Sequence, residues 1–418
     1  MISRRVAVLA LMGMVAACRP AESGVTLRFW AFGREGEVVQ ELVHGFELEH
    51  PGVHVRVQQI PWSAAHEKLL TAIVGRAAPD VAQMGNTWIP EMVTLGALAP
   101  VDLGAAASSY FPGILATNTV NDTLYGLPWY ADTRVLFYRK DLLARAGFAE
   151  MPTTWEGWRD AMKAIKRGAG PGQYALLLPL NEWPLLAILG LQAGSELIDS
   201  AGFGQFSGAE FERAFSFVLA LYADSLAAPV TSSQVSNLYQ EFERGTFAMY
   251  ISGPWNLGEF RRRLPASMQD AWATAPLPGP DGEESRVSLA GGSSLVVFRS
   301  SPRQALAQQL IEYLSRPEQQ AAFYRLTGDL PARRDAWTDA TLANDRTANA
   351  FRLQLDRTVP TPMVPEWEEV TTKLMDNSEA AIRGSRTPRQ ALADLDADVD
   401  RVLERRRYLQ SRQRDARP

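Results

Sequence analysis

Aromatic side chains and planar hydrogen-bonding groups recur together along this chain. Trp30 is followed by Arg34 and Glu35, Trp62 follows a proline, and Asn86 stands two residues before Trp88. Asn181-Glu182-Trp183 and Glu366-Trp367 repeat the combination. An indole face covers an apolar C–H surface, and carboxylate, amide or guanidinium groups take paired hydroxyls. These residue types therefore suit a polyhydroxylated ring ligand. The same tryptophans also serve packing, because the eleven of them are spread over the whole chain. Trp155 and Trp158 stand at a helix start and are read as packing, while Trp272 and Trp337 carry no assignment.

Catalytic motifs do not accompany these residues. The chain has no Gly-x-Ser-x-Gly elbow and no phosphate loop. Its four histidines all lie between His44 and His66. His50 and His54 are four apart, but Pro51-Gly52 between them prevents a shared helix face, so no metal site is assigned. Asp132, Glu182 and Glu366 are carboxylates that a fold can gather in one cleft. Two such groups beside a sugar make a glycosidase. Binding sites also use carboxylates as hydroxyl acceptors, so both readings stay open here. No catalytic residue and no cofactor is assigned.

The elements that position these groups begin with a strand at Val25–Trp30, where Val25, Leu27 and Phe29 alternate with polar residues. Residues 36–49 carry Val39, Leu42, Val43 and Phe46 on one helical face, and Pro51-Gly52 stops them. A second strand (Val53, Val55, Val57), a helix at 64–75 and a short strand at Val81–Met84 follow. This βαβαβ rhythm predicts a largely parallel sheet flanked by helices, which binds ligands beyond its carboxyl strand ends. Those ends fall near Trp30–Glu35, Ile60–Trp62 and Met84–Trp88.

Further on, Leu127–Lys140 reads as one long extended segment, and Asp141–Ala146 as a helix. Thr153 and Glu156 have capping-box spacing for another helix. Residues 207–223, 236–245 and 302–326 read as helices, and Phe247–Ile251 and Leu295–Phe298 as strands. Pro388 opens a last helix with an apolar face of Leu392, Leu395, Val399 and Leu403. The arginine-rich stretch Glu404–Pro418 reads as a solvated, frayed end.

The amino-terminal stretch is a leader by composition. Arg4 and Arg5 precede an apolar run from Val6 to Ala17, which ends in Val15-Ala16-Ala17-Cys18. That is an export signal, shorter than the about 20 apolar residues of a spanning helix. Cys18 is the only cysteine, so no intrachain disulfide forms and the fold stands on its hydrophobic cores. At this length two domains are expected. The formal charge is −5, made more negative by loss of the two leader arginines, and no basic stripe points to nucleic acid. Val15–Cys18 resembles the lipobox of bacterial lipoproteins, which implies cleavage before Cys18, lipid on Cys18 and a membrane-tethered protein outside the cytoplasm, with 18–24 as tether.

A further resemblance rests on ordered motifs. They are Leu27-Arg28-Phe29-Trp30, Gly45-Phe46-Glu47-Leu48-Glu49-His50-Pro51-Gly52, Pro61-Trp62, Ala78-Pro79-Asp80-Val81 and Tyr125-Gly126-Leu127-Pro128-Trp129-Tyr130-Ala131-Asp132-Thr133. Pro152-Thr153-Thr154-Trp155, Phe242-Glu243-Arg244-Gly245, Gly253-Pro254-Trp255, Gly291-Gly292 and Gly328-Asp329-Leu330-Pro331-Ala332-Arg333 continue them. In this order, behind a lipobox, they resemble family 1 extracellular solute-binding proteins, the maltose-binding-like lipoproteins of ABC importers. The resemblance implies an α/β, two-lobe periplasmic-binding-protein fold of type II, each lobe a mixed sheet flanked by helices, joined by crossover hinge strands. It implies lobe 1 at 25–130 with 285–335 and lobe 2 at 131–284 with 336–418, with crossovers near Asp132–Val135 and Pro278–Glu284.

The implied protein is a monomeric receptor without enzymatic activity. It captures a carbohydrate, of di- or oligosaccharide size, between the lobes and delivers it to ABC transporter permease subunits. The motifs carry over ligand contacts to Trp129, Tyr130, Asp132, Trp255, Gly291, Gly292 and Arg333. The residue reading adds Trp30, Glu35, Trp62, Asn86 and Trp367. Asp132 has a competing reading as a hinge ion pair with Arg134. An exported glycoside-processing enzyme, or the same fold binding a polyamine or a phosphorylated polyol, are the alternatives.

Overall fold

The structure is a computed structural model that describes residues 24–415, so the leader and Cys18 lie outside the described residues. Two sheets organise it. The first has six strands in the order Leu330–Pro331, Leu127–Asp132, Gly291–Val297, Val81–Gly85, Val25–Phe32 and Val53–Ile60. Val25–Phe32 pairs in parallel with Val53–Ile60 and Val81–Gly85, whereas Gly291–Val297 runs antiparallel to both of its neighbours. The second sheet has four strands, in the order Trp272–Ala275, Val135–Arg139, Phe247–Ser252 and Tyr174–Leu177. Among the described residues no helix is long and apolar enough to cross a membrane.

Helix Gly33–Glu49 buries Val38, Val39, Leu42, Val43 and Phe46 against Leu27, Phe29 and Val81 of the first sheet. Helix Trp62–Val74 covers the opposite face through Ala65, Leu69 and Ala72. The first strand therefore has both faces buried and runs to Phe32, two residues beyond the predicted end. Its end is tied by Gln83, whose Oε1 accepts the Phe32 N–H at 2.7 Å. The helix that follows starts at once, and this fixes Glu35 in its first turn.

The predicted extended segment 127–140 divides between the sheets. Leu127–Asp132 belongs to the first, Val135–Arg139 to the second, and Thr133-Arg134 makes the passage. The return passage comes later than Pro278–Glu284. That loop stays with the second unit, where Gly279 exchanges backbone bonds with Thr153 and Trp155. The chain crosses back at Ser288–Ala290, and Ser288–Leu289 pairs in parallel with Thr358–Val359.

The second unit packs Trp155, Trp158 and Phe215 with the carboxy-terminal helices Trp367–Ile382 and Pro388–Asp415, which contribute Trp367, Leu374, Leu392 and Leu395. Three local expectations shift. The helix Trp155–Arg167 is capped by Thr154, whose hydroxyl accepts from the Gly157 N–H at 3.1 Å, because Thr153 gives its carbonyl to Gly279. The predicted helix 302–326 breaks into Gln304–Leu314 and Pro317–Thr327, since proline cannot supply the mid-helix N–H. Residues 404–415 remain helical, and Arg407 docks this end by donating to the carbonyl of Gly202 at 2.8 Å.

One glycine is required where the first passage meets the return strand. Gly292 has φ +119°, and a Cβ there would overlap the Tyr130 carbonyl. Gly292→Ala is expected to lower unfolding free energy by about 2–4 kcal/mol, read by urea denaturation. Stability equal to that of the parent would show that the strand pair relaxes at no cost.

Candidate ligand-binding cleft

A cavity of about 630 Å³ lies between the two units. On the first side it is lined from beyond the carboxyl ends of the parallel strands: Glu35 after the first, Trp62 after the second, Asn86 and Trp88 after the third. Tyr130, Asp132 and Arg134 line it at the passage, with Gly291 and Gly292 beside them. Trp183, Trp255 and Glu259 face them from the second unit.

The floor is a buried polar network. The Tyr130 hydroxyl donates to Glu35 Oε1 at 2.9 Å, and Trp62 Nε1 donates to the same oxygen at 3.2 Å. Burial holds the Glu35 carboxyl above the usual carboxylate range, and these hydrogen bonds offset part of the shift. Asp329 also lines the cavity. Burial and then the charge of Glu35 push its carboxyl well above its ordinary value. Asn86 accepts from the Ser294 hydroxyl at 2.8 Å, while its Nδ2 is buried at the cavity without a hydrogen-bond partner. A buried donor left unpaired costs about 1–3 kcal/mol, which a ligand oxygen there would recover.

Aromatic rings form the walls. Trp62 packs edge-on to Phe32 with centroids 5.1 Å apart and to Trp88 at 5.8 Å. Trp255 is 43 % exposed although it is a large apolar ring. A Cβ on Gly253 would run into that ring and into Asp132 Oδ1, so only glycine lets the two groups approach. Asp132 accepts from Arg134 Nη1 at 2.6 Å on both oxygens, so the anticipated hinge ion pair is formed. Burial raises the Asp132 carboxyl and Arg134 opposes the shift. At the mouth, the Thr87 hydroxyl donates to Glu368 Oε1 of the other unit at 2.9 Å.

Of the expected contacts, Glu35, Trp62, Asn86, Tyr130, Asp132, Trp255, Gly291 and Gly292 line the cavity. Four lie elsewhere. Trp129 alternates with Tyr130 along its strand, so it turns into the core and stacks on Phe323 at 4.2 Å. Trp30 is packed under helix Trp62–Val74, with the Lys68 ammonium 5.0 Å from its ring. Arg333 pairs with Asp335 at 2.5 Å and lies over the ring of Tyr110. Trp367 is buried behind Trp183, edge-on with centroids 5.5 Å apart. Glu366 pairs with Arg406 at 3.8 Å and Glu182 lies outside the lining, so the three carboxylates do not meet in the cavity.

Asp329 and Glu259 received no role from sequence reasoning. Asp329 stands inside the quoted Gly328–Arg333 motif. The signal was its place beside Leu330–Pro331, which pairs with Tyr130 and Ala131. Among the described residues no group of three His, Cys, Asp or Glu side chains could hold a metal ion.

A family model described as bacterial extracellular solute-binding protein matches residues 33–321. The chain is 47 % identical to the sugar-binding protein MalE of the phytopathogen Xanthomonas citri, whose structure superposes with a TM-score of 0.89 over 93 % of this chain and 99 % of that one. It is 27 % identical to the galactooligosaccharide-binding protein of Bacillus subtilis, covering 90 % of this chain and 91 % of the relative. A maltooligosaccharide ABC transporter solute-binding lipoprotein of Streptococcus pneumoniae is 24 % identical, with 92 % of each chain covered.

The raised Asp329 and Glu35 carboxyls set a pH dependence. A carboxyl whose folded pKa is raised contributes stability that is fully present below the ordinary carboxylate range and is lost as pH rises through the raised value. Asp329→Asn keeps the shape without the ionisation. Its melting temperature is expected to exceed the parent's at neutral to mildly alkaline pH, with the gap closing on acidification to about pH 4. A gap that is constant with pH would remove Asp329 from this account.

Proposed function

This chain belongs to the bacterial extracellular solute-binding proteins, and on that premise we propose that it is the carbohydrate receptor of an ABC importer. The observation that carries the proposal is one cavity with an aromatic wall facing a polar floor. The half-exposed Trp255 ring offers a platform for a pyranose face. Glu35, Asn86 and Asp132 supply the acceptors and the unpaired donor that a rim of hydroxyls requires. The cavity volume lies within the about 300–1,000 Å³ of small-molecule sites and suits a di- or oligosaccharide. The carbohydrates in the names of the relatives agree with this cargo. A phosphorylated polyol fits less well, because Glu35, Asp132 and Asp329 would stand beside its phosphate.

In this reading the receptor performs no chemistry. The relatives are named as binding proteins, and the Glu35 and Asp132 carboxyls, bonded to Tyr130, Trp62 and Arg134, serve here as hydroxyl acceptors. In this reading residues 25–132 with 291–335 make one lobe and 135–287 with 336–415 the other, and they close by bending at the passages 133–134 and 288–290. The closed form is what the permease subunits recognise. A lipid on Cys18 tethers the receptor to the extracytoplasmic membrane face, as the lipoprotein relative suggests.

A melting screen of the chain spanning Arg19–Pro418 against mono-, di- and trisaccharides, polyols and polyamines tests the cargo. A native-state ligand raises the melting temperature by linkage. A shift from one sugar class is expected; shifts from polyamines alone would overturn the carbohydrate assignment. Trp255→Ala is expected to weaken binding of that sugar by about 1–2 kcal/mol in titration calorimetry, with the unfolding midpoint unchanged. Cys18→Ala is expected to move the protein from the membrane fraction to the soluble fraction without loss of binding, and retention on membranes would remove the anchor.

A further inference from the structure

Both groups that would hold a sugar at the passage are already occupied by one side chain. Arg134 Nη1 donates to both Asp132 oxygens at 2.6 Å, and the same guanidinium lies 4.6 Å from the Trp255 ring centroid. A planar cation over an indole face, one of its nitrogens donating to both carboxylate oxygens, imitates what a pyranose presents, namely an apolar-compatible plane and a donor edge. The backbone of Arg134 is pinned. Its N–H donates to the Ser288 hydroxyl at 3.3 Å, and that hydroxyl donates back to its carbonyl at 3.1 Å. The side chain can swing without breaking these bonds.

A second carboxylate waits on the far side. Glu182 does not line the main cavity, but it faces Arg134 across a small adjoining pocket walled by Leu177, Pro179 and Ile251. Among the described residues its carboxylate takes one hydrogen bond, from the Ser232 hydroxyl at 3.3 Å, and no cation pairs with it. Burial raises its carboxyl, and the charge of Arg134 is the largest influence pulling it back. Arg134 thus stands between two carboxylates, one inside the ligand cavity and one outside.

We propose that Arg134 is a built-in stand-in for the sugar, which holds Asp132 and the Trp255 face in the empty receptor and is displaced toward Glu182 when a sugar enters. The proposal rests on the receptor reading above and concerns the selectivity of that same site. A ligand gains entry to this subsite only if it replaces the bonds to both Asp132 oxygens. The favoured sugars therefore present two adjacent hydroxyls on one edge and an apolar face to Trp255. A deoxy sugar lacking one of that pair leaves Arg134 in place. Until displacement, the ion pair also keeps Asp132 from standing as an unpaired charge in a closed cleft.

The test is a double-mutant cycle read by titration calorimetry with maltose or, where maltose gives no heat, with the saccharide selected by the melting screen. Glu182→Gln removes the receiving charge without touching the cavity and is expected to weaken binding by about tenfold in the parent. In an Arg134→Gln background the same change is expected to cost nothing, and Arg134→Gln alone is expected to bind at least as tightly as the parent. A tenfold or greater loss from Arg134→Gln would make Arg134 a direct sugar contact and overturn the proposal, as would an equal cost of Glu182→Gln in both backgrounds. If Arg134→Gln melts below the assay temperature, Arg134→Met, which keeps the stem over Trp255, takes its place under the same criteria. A parent that binds none of the saccharides defeats the receptor reading and the displacement together. A parent that binds, with no coupling between 134 and 182, defeats the displacement alone.

Discussion

The hydroxyl of Ser288 ties the two passages between the sheets to one another. Ser288 bonds both the N–H and the carbonyl of Arg134, and three residues further on the return strand pairs Gly291 with Asp132 and Gly292 with Ala131. Every group at the centre of the cleft hangs from this junction. Asp132 and Arg134 stand on one passage, Gly291 and Gly292 on the other, and Trp255 follows the strand that pairs Ser252 with Val135. Such a junction would let the walls move relative to one another while the local ladder stays intact, as the proposed hinge requires.

The floor of the cleft is preorganised at an electrostatic cost. Glu35, Asp329 and Tyr130 are buried close together, and burial pushes all three toward their neutral forms. The Glu35 carboxyl is tolerated because it accepts from Tyr130, Trp62 and Gln83, and Gln83 also ties the strand end to the same cluster. A ligand entering such a site pays little to order it, which is how a receptor with few contacts reaches useful affinity. The unpaired Nδ2 of Asn86 fits the same pattern, since it is held in place by Ser294 with its donor uncommitted.

Tryptophan illustrates what a sequence carries and what it omits. Trp62 and Trp255 reach the cavity, and Trp129, Trp30 and Trp367 are core. Four of them stood in motifs or at strand ends that pointed to a ligand, and Trp367 stood beside Glu366. The difference between Trp129 and Tyr130 is strand alternation, which is legible once the strand is known to face the cleft with its even residues. The burial of Trp30 depends instead on helix Trp62–Val74 lying over it, and that of Arg333 on Asp335 and Tyr110 capturing its guanidinium. Asp329 gave no chemical signal, because an acid in a short turn looks solvated until the strand beside it is seen to pair with Tyr130.

The sequence by itself determined the βαβαβ opening, the strand-end positions of Glu35, Trp62 and Asn86, and the family through its ordered motifs. These follow from local periods, caps and breakers acting over a few residues. Only the tertiary structure decided which side chains share the cavity, where the return passage lies, and that Arg134 sits on Asp132 and Trp255 together. Most of those facts join residues far apart in the chain, as the Arg134 guanidinium and the Trp255 ring are. They depend on which element covers which face, a choice made by the packing of the whole chain and not by any one segment of it.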